Sequence, residues 1–121
     1  MPARQPSVLI VEDDFALSDA FGMILTASGY EIHRSHDGKE ALEYLENHMP
    51  DAILLDILMP VMDGREFLRN FDNEHKVPIV ALSNLDAKGD IEEVLSLGAT
   101  KYVLKSSVTP EALAAIVKEV L

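Results

Sequence analysis

These 121 residues are expected to form one α/β domain in which five short strands alternate with five helices, a (βα)5 chain doubly wound on a parallel sheet. Three observations carry that expectation. Short apolar runs recur between longer segments of helical spacing. Three of the runs are continuously apolar, as suits strands covered on both faces. The connections are short, which favours right-handed crossovers and helices on both sides of the sheet. A hydrophobic content of 48% is enough for a sizeable core. Residues 1–6 read as an N-terminal tail and 7–121 as the domain.

The first strand is the run Val8–Val11. Behind it Leu17, Phe21, Ile24, Leu25 and Ser28 fall on one helical face, and Gly29 offers the stop. Glu31–His33 is the second strand. Asp37 with Glu40 three residues later resembles a capping box ahead of Ala41, Leu42 and Leu45. Ala52–Leu55 is the third strand, and the helix after it starts near Asp63-Gly64 and carries Phe67, Leu68 and Phe71. The fourth strand is Pro78–Leu82, where a proline at the first position removes no needed ladder donor. A helix over Asp90–Leu97 follows and ends at Gly98; Tyr102–Leu104 is the fifth strand. The last helix has Thr109 as N-cap, Pro110 at its first position, and Leu113, Ile116, Val117 and Val120 on one face.

Composition excludes several classes of function. The chain carries 10 basic against 21 acidic residues, a net charge of −11, which repels a phosphate backbone and argues against direct nucleic-acid binding. With no cysteine there is neither a disulfide framework nor a Cys-based zinc site. No window approaches the roughly 20 apolar residues of a membrane span, and the run before Glu12 is too short for a signal peptide. A soluble, cytoplasmic domain is the expectation. His33, His36, His48 and His75 show no ligand spacing and read as surface residues.

In a doubly wound sheet, ligands gather beyond the carboxyl ends of the strands. Those ends supply Glu12-Asp13, Asp56, Ser83-Asn84 and Lys105. Taken alone, Glu12-Asp13 suits a helix N-terminus, Ser83 a loop hydroxyl and Lys105 a solvated amine. Taken together, three carboxylates repel one another and call for a cation. Oxygen ligands favour magnesium, calcium or manganese over zinc. Lys105 and Ser83 then suit phosphoryl oxygens, and aspartate is a competent nucleophile in phosphoryl transfer.

The runs Val8-Leu-Ile-Val-Glu12-Asp13-Asp14, Leu54-Leu-Asp56-Ile-Leu-Met-Pro60-Val-Met-Asp63-Gly64, Ile79-Val-Ala-Leu-Ser83 and Gly98-Ala-Thr-Lys-Tyr102-Val-Leu-Lys105 together resemble the receiver domain of bacterial two-component response regulators. The resemblance implies a flavodoxin-like sheet of order 2-1-3-4-5. It implies that Asp56 accepts a phosphoryl group from a histidine kinase or histidine phosphotransfer protein. It implies that magnesium, with manganese as a substitute, would be held by Asp13, Asp56 and the Leu58 backbone carbonyl, with Glu12 acting through water. Lys105 and Ser83 hold phosphoryl oxygens. By the same resemblance, Ser83 and Tyr102 would switch the surface of strand 4, helix 4 and strand 5 toward an output domain or protein, Tyr102 turning inward. The resemblance further implies a monomer able to form a phosphorylation-dependent homodimer, and a protein that catalyses only its own phosphoryl transfer and dephosphorylation.

Three positions depart from the family pattern. Ser106 follows Lys105 where relatives usually carry proline, often after a cis bond, which before a non-proline residue costs about 3–4 kcal/mol. Asn84 replaces a small residue after the switch hydroxyl, and Leu58 puts an apolar side chain near the path of attacking water. An altered phosphoryl lifetime is expected from Leu58 and Asn84. Rival readings fare worse: a dehalogenase-type phosphatase needs an acid at position 58, and a nucleotide site needs a glycine-rich turn after the first strand. A phosphorylation-independent interaction module on the same fold is the remaining alternative.

Overall fold

The computed structural model describes residues 5–121. Five parallel strands, β1 (Ser7–Val11), β2 (Glu31–Ser35), β3 (Ala52–Asp56), β4 (Ile79–Ser83) and β5 (Lys101–Leu104), form one sheet of order β2-β1-β3-β4-β5. Helices α1 (Phe15–Ala27), α2 (Gly38–Leu45), α3 (Gly64–Asn70), α4 (Lys88–Ser96) and α5 (Pro110–Val120) connect and cover it.

The pleat sorts the core into two layers. On one face Leu9, Val11, Ile53, Leu55, Ile79 and Ala81 pack with Ala41, Phe67 and Val94. On the other, Val8, Ile10, Leu54, Val80 and Leu82 pack with Phe21, Leu25, Leu113 and Val117. Alternate residues of one strand thus serve opposite layers. That is why β1, β3 and β4 are buried along their whole length while the edge strand β2, Glu-Ile-His-Arg-Ser, is partly exposed. Phe67 is fully buried, and its truncation to Ala would cost about 3–5 kcal/mol.

Local signals fix the ends of the helices. Asp14, Asp37, Asp63 and Thr109 each accept a hydrogen bond from the backbone N–H three residues on. Asp63, near which the sequence places the start of the third helix, is therefore the cap of α3. Gly29, at φ +97°, closes α1: Tyr30 N–H donates to Leu25 O and Gly29 N–H to Thr26 O. Gly98, at φ +122°, does the same for α4.

Several boundaries differ from expectation. β2 continues to Ser35, and β5 begins at Lys101. Pro78 lies just before β4, although its carbonyl still accepts from Ile53 N–H at 2.9 Å. α4 starts at Lys88 rather than Asp90, preceded by Ala87, which makes no side-chain cap. A 3-10 turn over Lys105–Ser107 was not anticipated. Among the described residues there is no cis peptide bond, so Lys105–Ser106 is trans.

α1 is apolar on both sides. Phe21 and Leu25 face the core, while Ala16, Ala20, Met23 and Ala27 lie exposed on the outer face. One turn of chain is unusual: Val61 has φ +67°, and Met62 N–H donates to Pro60 O across it at 2.8 Å, closing a γ-turn around a β-branched residue.

Candidate functional site

Because β1 and β3 are neighbours and their connections leave in opposite directions, the carboxyl ends of these two strands open a crevice. Val11 pairs with Leu55, so Glu12 and Asp13 emerge beside Asp56, the last residue of β3. Glu12, Asp13 and Asp56 each offer a carboxylate oxygen, all lying within 4.8 Å of one another. Glu12 and Asp56 are only 2% and 3% exposed. Gly64 sets the shape of this corner. A Cβ there would lie 2.7 Å from Ile57 Cα and 2.9 Å from the Asp56 carbonyl oxygen, so the start of α3 can press against the strand end only with glycine.

Lys105 reaches in from beyond β5. Its Nζ lies 2.9 Å from Glu12 Oε1 and 3.2 Å from Asp56 Oδ2, with the side chain 18% exposed. Glu12 Oε2 accepts from Asp14 N–H at 3.1 Å. Glu12 Oε1, by contrast, is buried with no aligned hydrogen bond and meets Lys105 as an ion pair. Asp56 Oδ1 accepts a long bond, 3.4 Å, from Leu58 N–H.

The electrostatics follow from this crowding. Burial pushes the Asp56 pKa up, the Glu12 charge pushes it further, and Lys105 pulls it back, leaving it at about 7. Burial disfavours the charged form of Lys105, but Glu12 and Asp56 outweigh that and raise its pKa above the ordinary lysine value. One ammonium thus serves two buried carboxylates, with Asp13 beside them. The donor set fits a hard divalent cation: three clustered carboxylates, one buried oxygen free of hydrogen bonds, and no sulfur.

The remaining expected residues lie on the same rim. Ser83 is buried at the end of β4, and its hydroxyl accepts from Leu85 N–H at 3.1 Å. The Tyr102 ring lies inward against the core, and its hydroxyl donates to Leu85 O at 2.7 Å. Ser83 and Tyr102 are therefore linked through the two polar backbone groups of Leu85. The Leu58 side chain is 52% exposed at the mouth. Asn84 is also exposed, and its Oδ1 accepts from Ser106 N–H at 3.0 Å.

Two features of the site were not visible in the sequence. His36, read there as a surface residue, is half-buried: Nδ1 lies 3.3 Å from the Glu12 carbonyl and the ring packs 4.1 Å from that of Phe15. Arg65 on α3 pairs with Asp90 at 3.0 Å and with Glu93, both on α4. Neither contact has a sequence signal, since the partners lie over twenty residues apart.

Comparison with known proteins agrees with this arrangement. The family model for the response regulator receiver domain matches residues 8–118. The chemotaxis response regulator CheY4 of Vibrio cholerae is 30% identical, with 98% of this chain and 100% of that chain covered and a TM-score of 0.89. The receiver domain of a signal transduction histidine kinase from Syntrophus aciditrophicus is 31% identical, covering 96% and 89% of the two chains at a TM-score of 0.86. A CheY-like receiver domain protein from Methanospirillum hungatei JF-1 is 29% identical over 96% and 93%, with a TM-score of 0.89. With the order β2-β1-β3-β4-β5 and an acidic cluster at its switch point, the chain belongs to the response regulator receiver domain family.

Proposed function

We propose that the domain is a phosphoryl acceptor of two-component signalling, with Asp56 as the residue modified. The observation that carries this reading is Lys105 Nζ at 3.2 Å from Asp56 Oδ2, beside the carboxylates of Glu12 and Asp13. A buried aspartate flanked by a fixed ammonium and a cation-binding cluster is the arrangement an aspartyl-phosphate needs. An oxygen of Asp56 attacks phosphorus, the bond from phosphorus to the donor imidazole nitrogen breaks, and that nitrogen keeps the electron pair. Asp56 must be ionised to attack, and at a pKa near 7 it is so only in part at neutral pH. Asp13, Asp56 and the Leu58 carbonyl would hold magnesium, with Glu12 acting through water, and the ion would supply positive charge that favours the ionised carboxylate and offsets charge on the transferring oxygens. Lys105 then holds one phosphoryl oxygen and Ser83 another.

Ser83 Oγ accepts from Leu85 N–H and keeps its own proton to donate to a phosphoryl oxygen, so a shift of Ser83 toward that oxygen would draw Leu85 with it. Leu85 O in turn holds Tyr102, so the change passes to the surface of β4, α4 and β5, where an output domain or protein would read it. The donor, a histidine kinase or phosphotransfer protein, has an apolar landing face available: the outer stripe of α1 together with Phe15, Leu58 and Val61, which are 64%, 52% and 80% exposed. Among the described residues no helix is long and apolar enough to cross a membrane.

The test is incubation with magnesium and a small acyl phosphate, followed by intact mass and mapping of the modified peptide. One added phosphoryl group on Asp56 is expected. No gain in mass, or an equal gain in Asp56→Asn, refutes the assignment and leaves a phosphorylation-independent interaction module as the better description.

A further inference from the structure

Two of the three positions that depart from the family pattern, Asn84 and Ser106, meet in space. Asn84 follows the last residue of β4 and Ser106 follows Lys105, yet the Asn84 Oδ1 accepts the Ser106 N–H at 3.0 Å. A proline at 106 would have no N–H to give. Because the donor is a backbone N–H, the Asn84 side-chain oxygen must be the atom facing it, which fixes the amide's orientation. The other polar atom of the same peptide group is also held: Lys105 O accepts from Val108 N–H at 3.3 Å. The Lys105–Ser106 peptide is thus fixed at both ends, just beyond Ser83 and Leu104, the last pair of the β4–β5 ladder.

We propose that Asn84 is a positioning residue for Lys105: by tying the loop after β4 to the turn after β5, it holds the ammonium against Asp56. The role rests on the phosphoacceptor reading above. It gives the Asn84 amide a task different from crowding the entrance, because its oxygen is committed to Ser106. It also joins the segment Ser83–Leu85, which carries the switch hydroxyl, to the base of the lysine, so that the two phosphoryl-holding groups share one mechanical frame. Lys105 projects from the chain between the ladder's end and this bond. Without the bond, the turn Lys105–Ser107 keeps its own 3-10 contact and the ion pairs of the lysine with Glu12 and Asp56, and the ammonium more often samples positions away from Asp56.

Three variants at this exposed position separate the roles. Asn84→Leu keeps the bulk and loses the acceptor, Asn84→Ala loses both, and Asn84→Asp keeps an acceptor oxygen. Two quantities are measured on the whole chain. One is hydrogen exchange of the Ser106 amide by nitrogen-15 NMR. The other is the rate of Asp56 phosphorylation by acetyl phosphate with magnesium, in about 0.5 M salt so that the added Asp charge is screened. Leu and Ala are expected to speed Ser106 exchange about 3- to 10-fold, the range for one net hydrogen bond, and to slow phosphorylation by a similar factor. Asp is expected to stay within about twofold of the parent on both counts. In a Lys105→Ala background, Asn84→Leu is expected to slow the reaction no further. Unchanged exchange in Leu, an unchanged rate despite faster exchange, or an undiminished effect without Lys105 each overturns the proposal. An effect of Ala that Leu does not share assigns the role to bulk and also overturns it. Failure of the parent chain itself to be phosphorylated brings down the phosphoacceptor reading, and with it the positioning role, while the exchange data still report on the bond.

Discussion

Replacing Val61 by glycine is expected to stabilise the domain. Val61 has φ +67° and its side chain is 80% exposed, so the substitution relieves a left-handed conformation without giving up buried surface. Left-handed backbone costs an L-residue about 1–2 kcal/mol, with β-branched residues at the upper end. Glycine gives back about 0.5–1 kcal/mol through the greater freedom of its unfolded chain. The balance is a gain of about 1 kcal/mol, or roughly 4 °C in Tm for a domain of this size. The backbone bond across the turn, Met62 N–H to Pro60 O at 2.8 Å, remains available to glycine. Urea unfolding with unchanged slope is the assay, and Val61→Ala is the control. Alanine loses the branch but keeps Cβ, so it should recover less than half of the gain. A glycine variant no more stable than the parent would show that the left-handed turn stores no strain.

Three further outcomes follow from the site. Asp56 is raised to about 7 from an unfolded value near 4, so the native state binds the extra proton between those limits. Its contribution therefore declines as pH rises through that window. In metal-free buffer, Asp56→Asn should exceed the parent in stability at pH 8 by on the order of 2 kcal/mol, after discounting for solvent screening. That margin should vanish near pH 4, and a margin independent of pH would refute the assignment. Magnesium at 100 times its dissociation constant should raise the parent's unfolding free energy by about 2.7 kcal/mol, and Asp13→Asn should need far more metal for the same gain; equal titrations would remove Asp13 from the ligand set. Arg65→Met should cost about 1 kcal/mol by breaking its pairs with Asp90 and Glu93, and hydrogen exchange should quicken in α4 more than in α5. Uniform quickening would mean that the arginine does not anchor α4 specifically.

What the sequence revealed was what short-range chemistry determines. Asp37, Thr109 and Gly29 mark helix ends through bonds to residues within five positions, and each does so in the structure. The apolar runs gave the strands to within one or two residues, and the strand-end rule placed Asp13, Asp56 and Lys105 on one rim. Periodicity is silent about sheet order, which came only through the family resemblance. Every contact that depends on that order was hidden for the same reason: Asn84 with Ser106, Arg65 with Glu93, His36 with the Glu12 carbonyl. The start of α4 was misplaced because Ala87 leaves no capping signal. Val61 was opaque for another reason, since a β-branched residue is a poor advertisement for a left-handed turn.

The outer stripe of α1 has a bearing on how concentrated solutions of the protein behave. Ala16, Ala20, Met23 and Ala27 present an apolar ridge to solvent, and the −11 charge of the chain opposes the approach of two such ridges at neutral pH. Acidification toward the isoelectric point near 4.6 removes that repulsion, while added salt shortens its range. The same ridge then becomes adhesive, so acid and salt should lower colloidal stability through one helix, and a single Met23→Lys change should restore clarity.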